Sequence, residues 1–193
     1  MFELLQKHVQ KRVELTKDEF QRATTFFVPK QIRRGQFLLQ SGDVARHLSF
    51  VEKGCLRSYT IDGKGEEHLA QFAIEDWWIS DLYSFLEHQP SALNIDALED
   101  SELLILDKAS QDKLCAEIPK FERFFRLLLQ ANYVASSRRI MHSISATAEE
   151  RYLHFLKSYP AIVQRVPQRQ IASYLGITPQ SLSRIRRNLS RKS

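Results

Sequence analysis

The sequence predicts an α+β fold: an N-terminal double-stranded β-roll of jelly-roll type, then a long helix, then a small helical C-terminal domain. Three observations lead there. Between residues 32 and 107, short apolar runs alternate with turn pairs such as Arg34-Gly35, Gly42-Asp43, Lys53-Gly54 and Asp62-Gly63, the texture of many short strands. From residue 108 onward, apolar residues recur every three or four positions instead, as in amphipathic helices. The charge is also divided. Residues 138–193 carry 11 Lys and Arg against only Glu149 and Glu150, whereas residues 1–137 carry 17 against 21 Asp and Glu. A basic segment that is also regularly apolar folds rather than trailing as a solvated tail, and its natural partner is a polyanion.

Residues 2–28 read as helical, with Phe2, Leu5, Val9 and Val13 on one face and a capping box in Thr16-Lys17-Asp18-Glu19; Pro29 stops them. Strands are expected at 36–40, 48–52, 56–61, 68–73, 93–98 and 103–107, with Asp62-Gly63 as a hairpin turn and a short helix over 79–87. A short helix over 109–117 precedes a long one that starts at Pro119 and runs to about Ser143. Its first turns, with Phe121, Phe124, Phe125, Leu127, Leu128 and Leu129, need cover on more than one side. Leu128, Ala131, Ala135 and Arg138 keep the spacing of a helix–helix seam, read here as a dimer contact. A helix over 148–159 ends at Pro160, and residues 161–166, with Val163 and Val166, are the one place for a short strand of a reduced wing. The domains expected are a sensor over 1–117, a coupling and dimerisation helix over 118–145, and a terminal helical domain over 146–193.

Residues 167–190 carry the sharpest motif. Ala172 is small where two helices would touch, Gly176 can take the positive φ that ends the first, and Thr178 before Pro179 caps the second. Ile171, Leu175, Ile177, Leu182, Ile185 and Leu189 supply a small core. That is the construction of a helix-turn-helix, whose second helix enters the major groove of double-stranded DNA. Gln180, Ser181 and Arg184 then face base edges: arginine can bridge a guanine and glutamine an adenine. Arg169, Thr178, Arg186 and Arg187 are placed for phosphates, which set register and affinity without reading sequence.

Other functions find less support. No apolar run approaches the roughly 20 residues of a membrane span, and the first residues lack an export signal, so a cytoplasmic protein with no membrane partner is expected. Cys55 and Cys115 stand alone, outside any metal or redox spacing. A cupin-like metal enzyme would need several histidines, and Glu66-Glu67-His68 offers one, with no neighbour at ligand spacing. No nucleophile set, phosphate loop or paired carboxylates mark an enzyme. A nucleotide-binding module with no DNA output would leave the basic hairpin without a purpose.

A β-roll, a long helix and this terminal hairpin together resemble the Crp/Fnr family of bacterial regulators over nearly the whole chain. The glycines Gly35, Gly42 and Gly54 match the family's punctuation, with Glu75-Asp76 where a Gly-Asp pair is usual. The resemblance implies a homodimer on a two-fold-symmetric DNA site, with RNA polymerase as a further candidate partner. It also implies an effector pocket in the roll, formed by Trp78, Asp81, Leu82, Ser91 and Ala92, with Ser136 on the long helix. Members that bind cyclic AMP carry a Gly-Glu-Leu and then an Arg-Ser-Ala. Here the segments read Ser80-Asp81-Leu82 and Pro90-Ser91-Ala92. Pro90 offers a phosphate neither charge nor N–H, so cyclic AMP is not the expected effector. Iron–sulfur members need a cysteine cluster that two separated cysteines do not make, and lone histidines such as His47, His68 or His88 are poor haem candidates.

Overall fold

The computed structural model describes residues 2–191. Helix α1 (Glu3–Gln10) and helix α2 (Lys17–Thr24) are separate, where one helical stretch was expected. The break falls where Thr16 opens a new helix: its hydroxyl accepts from Glu19 N at 3.2 Å, and Glu19 accepts from Thr16 N at 2.8 Å. Pro29 does not lie in a loop; it sits inside β1 (Val28–Ile32), opposite Leu104 of β8. Proline is tolerated there because β1 is an edge strand and needs no ladder bond from that residue.

The roll continues with β2 (Phe37–Leu39), β3 (His47–Lys53), β4 (Leu56–Ile61), β5 (Glu67–Ala73), the two-residue β6 (Trp78–Ile79), helix α3 (Leu82–Glu87), β7 (Asn94–Ala97) and β8 (Ser101–Asp107). The strands form two four-stranded sheets, β1-β8-β3-β6 and β2-β7-β4-β5. Strand alternation distributes β8 between two cores. Leu103 turns inward with Val51, Leu56, Ile79, Ile95 and Ala97. Leu104 and Leu106 turn outward with Phe50 against the helices. Apolar demand on both faces explains the unbroken Leu103-Leu104-Ile105-Leu106 run.

Helix α4 (Lys108–Glu117) and the start of α5 (Lys120–Ser145) complete that outer core. Leu5, Val9, Leu114, Phe121, Phe124, Phe125 and Leu128 all lie in it, which is why α5 begins so apolar. Leu128 is therefore not part of an exposed seam. The exposed apolar residues of α5 lie farther along, among them Tyr133 and Ile144 at 75% exposure, with Val134, Ile140 and Met141.

Helix α6 (Ala148–Ser158) opens on a second capping box, Thr147 with Glu150. The wing strand expected over 161–166 is not formed. Pro160 takes the first position of helix α7 (Pro160–Arg165), a place where its missing N–H costs nothing. Ile162 and Val166 are then buried four residues apart, a helical rather than a strand spacing. Helices α8 (Gln168–Tyr174) and α9 (Pro179–Ser190) follow. Contacts group the described chain into two units: one of residues up to Ser58 with Phe72–Ala131, the other of Tyr59–Gln71 with the residues from Asn132 onward. No helix among the described residues is long and apolar enough to cross a membrane.

Candidate nucleic-acid interface

The α8–α9 hairpin is assembled by local rules. Gly176 holds φ 65° and ends α8, with Gly176 N bonded to Ser173 O at 3.0 Å. Thr178, extended at φ −74° and ψ 152°, caps α9; its hydroxyl accepts from Ser181 N at 3.2 Å and donates to Ser181 Oγ at 3.0 Å. Ile171, Ala172, Leu175, Leu182 and Ile185 are buried, joined by Tyr152, Phe155, Ile162 and Val166 of the same unit. Helix α9 thus hides Leu182 and Ile185 and shows the opposite face.

Gln180 and Arg184 stand one turn apart on that exposed face. Ser181 is half-buried and engaged in the cap, and the Thr178 hydroxyl is spent there too. Arg169, Arg186 and Arg187 are exposed, as is Asn188. The sequence did not reveal what secures α8 from behind. Ser173 Oγ donates to Glu67 O at 2.8 Å and accepts from Leu69 N at 3.0 Å, so one hydroxyl ties α8 to β5. Arg139 donates to Ala70 O and lies 5.3 Å from the centre of the Tyr174 ring. Partners this distant in the chain leave no local signature.

The predicted effector residues are only partly brought together. Asp81 and Ser91 meet: Ser91 Oγ donates to Asp81 Oδ2 at 2.7 Å, while Asp81 Oδ1 caps α3 by accepting from Ser84 N at 3.2 Å. The Ser91 N–H is also used, on Asp43 O at 2.8 Å. Trp78 instead joins an aromatic cluster with His8, Phe27, Phe50, Phe124 and Phe125. Leu82, Ala92 and Ser136 are exposed. A cavity of about 320 Å³ does open in the roll's unit, and other residues line it, including Lys30, Leu39, Asp43, Arg46, His47 and Ser80. Beside it the sheet is stiffened by Arg57 of β4, which holds Asp96 of β7 through two bonds of 2.8 and 3.0 Å.

Matches with known proteins follow this anatomy. Residues 29–117 match the cyclic nucleotide-binding domain. The fumarate and nitrate reduction regulatory protein of Yersinia pestis is 26% identical over 171 residues, covering 81% of this chain and 66% of that protein. Among solved structures, FixK2 from Bradyrhizobium japonicum superposes with a TM-score of 0.70 at 18% identity, over 86% of this chain and 85% of that one. A protein from Eubacterium rectale described as a transcriptional regulator of the Crp/Fnr family gives 0.68 at 16%, over 92% and 85%. The chain thus shares the fold of solved structures that include a regulator of the Crp/Fnr family. It spans about two thirds of the Yersinia pestis relative's length.

Burial pushes the Cys115 thiol up to about 11, which keeps it protonated and unreactive at neutral pH. His68 has neighbours the sequence did not disclose: Asp62 Oδ2 lies 2.8 Å from its Nε2, and Glu66 is within the same 4.8 Å cluster. All three are exposed at the β4–β5 turn. The His68 bond and the Glu66 and Lys64 backbone N–H groups draw the Asp62 carboxyl down to about 2, so the cluster works as a turn clasp. His88 has φ 54° and ends α3.

Proposed function

We propose that this chain is a sequence-specific, double-stranded-DNA-binding transcription regulator, acting in the cytoplasm as a homodimer on a two-fold-symmetric site. The observation that carries the reading is α9: a capped helix whose apolar face is buried while Gln180 and Arg184 stay exposed on one line. In this reading Gln180 and Arg184 read base edges, with Ser181 beside them. Arg169, Arg186 and Arg187 hold phosphates, and Thr178 fixes where the helix starts against the backbone. The domains divide as sensor, coupling helix and DNA-binding hairpin, and RNA polymerase is the further partner a regulator of this type engages.

Effector control runs through the roll. The Asp81–Ser91 pair, closed on itself beside Pro90, supports a sensor that does not take cyclic AMP in the family manner, because the Ser91 N–H and hydroxyl are already bonded. Mobility shifts on genomic fragments, followed by selection and sequencing of bound oligonucleotides, test the DNA reading. Arg184→Ala should lose about 1–3 kcal/mol at one base position, with other positions unchanged. Arg187→Ala should weaken all sequences alike and lower the salt dependence. Unaltered base preference in the Arg184 variant would remove its assigned role, and salt-independent binding would remove the DNA reading.

A further inference from the structure

A second cavity, of about 300 Å³, lies wholly within the C-terminal unit, between the last turns of α5, helix α6 and the end of α8. Its lining includes Arg138, Arg139, His142, Arg151 and His154, with Tyr174 as part of an aromatic wall, and no carboxylate. Glu150, whose charge reaches His142, has its Oε2 engaged by Thr147 N at 2.7 Å and Thr147 Oγ1 at 2.9 Å. Three arginines thus line one recess whose own lining supplies no carboxylate. Such crowding of like charge is unfavourable in the empty protein and is relieved by an anion.

An independent observation points the same way. Arg151 Nη1 donates to Ala146 O at 2.8 Å, but Arg151 Nε is buried and has no hydrogen-bond partner among the described residues. A buried donor left unmade costs about 1–3 kcal/mol, and an oxygen of a ligand in this cavity would satisfy it. Aromatic rings line it as well: the Phe155 ring lies 5.4 Å from Tyr159 and 5.3 Å from Tyr174, and the His142 and His154 rings meet at a tilt with centres 4.8 Å apart.

We propose that this recess is a binding site for a small organic phosphate that carries an aromatic ring, of mononucleotide size. Guanidinium forks match phosphate oxygens, and the ring packs against the aromatic wall. The volume is at the low end of ligand pockets, about 300–1,000 Å³, which sets the limit near a mononucleotide. Bound there, the ligand bridges α5 to α6 and α8, the helices that carry α9. The site is distinct from the cavity of the roll, and its occupancy can be measured without DNA, so its failure and the failure of the DNA reading are separable.

Calorimetry on the full chain with pyrophosphate, AMP and 3′,5′-cyclic AMP tests the site. AMP is expected to bind more tightly than pyrophosphate, and an Arg138→Gln, His154→Gln double variant should weaken AMP at least 10-fold while His47→Gln, in the roll cavity, leaves it unchanged. Should the double variant fail to melt cooperatively, Arg138→Gln alone, an exposed helix position, carries the same comparison. The proposal is overturned if no probe binds. Equal loss from His47→Gln overturns it as well, since the anion would then sit in the roll. So does unchanged AMP binding in the variants accompanied by weaker DNA binding, because the cations would then serve the duplex.

Discussion

Gly54 and Gly176 both hold positive φ, 106° and 65°, yet replacing each with alanine tests a different physical cost. A Cβ on Gly54 would fall 2.7 Å from the Ser101 Cα and 2.1 Å from its Oγ, so backbone must move as well as strain. A Cβ on Gly176 would meet nothing within 4 Å. Gly176→Ala should therefore cost only the left-handed penalty, about 1–2 kcal/mol. Gly54→Ala adds overpacking of about 1–3 kcal/mol to that penalty. Denaturant melts of the two variants check the order, and equal losses would refute the steric account. At the same scale, His8 is buried with its tautomer fixed by its partners. Trp78 Nε1 can only donate, and lies 3.3 Å from His8 Nε2, so His8 Nδ1 donates to Asp76 Oδ1 at 2.7 Å. Burial holds the His8 pKa below its ordinary 6.5, with Arg12 and Lys11 adding and Asp76 opposing. His47 is lowered too, by burial and then by Lys30. A folded pKa below the unfolded one means the unfolded chain takes up the proton first as pH falls. The stability is whole above about 6.5 and drains as pH falls below it. Tm should decline from pH 7.5 to 5.5, and less steeply in His8→Gln; an identical slope in that variant would show that His8 does not contribute.

Among the elements, α9 is the one whose placement the function needs, and its start depends on one hydroxyl. Thr178→Ala should cost about 0.5–2 kcal/mol of stability and weaken DNA binding, whereas Thr178→Ser should recover both; failure of serine to rescue would point to a role beyond the cap. This start was legible from Thr178-Pro179 because capping is local: every partner lies within three residues. The capping box at Thr16 was legible for the same reason, as were the turns at Gly54 and Gly176. Proline was less informative. Pro160 opens α7 rather than merely closing α6, and Pro29 lies within an edge strand, since the residue fits each of those places and only tertiary context selects one. The candidate site divides along the same line. The exposed face of α9 follows from helical periodicity. The Ser173 grip on β5 joins groups 104 and 106 residues apart, and Trp78 turns toward the helices instead of a pocket; neither has a signal in the neighbouring sequence.

For the molecule as a whole, the exposed stripe on α5 decides whether one hairpin meets DNA or two. Tyr133, Ser137, Ile140 and Ile144 recur at the four-three-four spacing of a coiled-coil seam, flanked by Val134 and Met141. A monomeric soluble chain has little reason to present Tyr133 and Ile144 at 75% exposure on one helix. Pairing this stripe with its copy around a two-fold axis would place two α9 helices for successive major grooves, about 34 Å apart on the duplex. An Ile140→Asp, Ile144→Asp double variant buries two unpaired charges in such a seam and should yield a monomer by sedimentation, with its secondary structure intact because neither residue packs into the core of its own chain. That monomer should still bind a half-site, but far more weakly than the dimer binds the full site, since linking two hairpins makes the second contact intramolecular and multiplies affinity by about 10²–10⁴. Its salt dependence should fall as well, because half the phosphates are neutralised. A variant that remains dimeric would place the seam elsewhere on the chain. A monomer with undiminished affinity for the full site would show that one hairpin suffices.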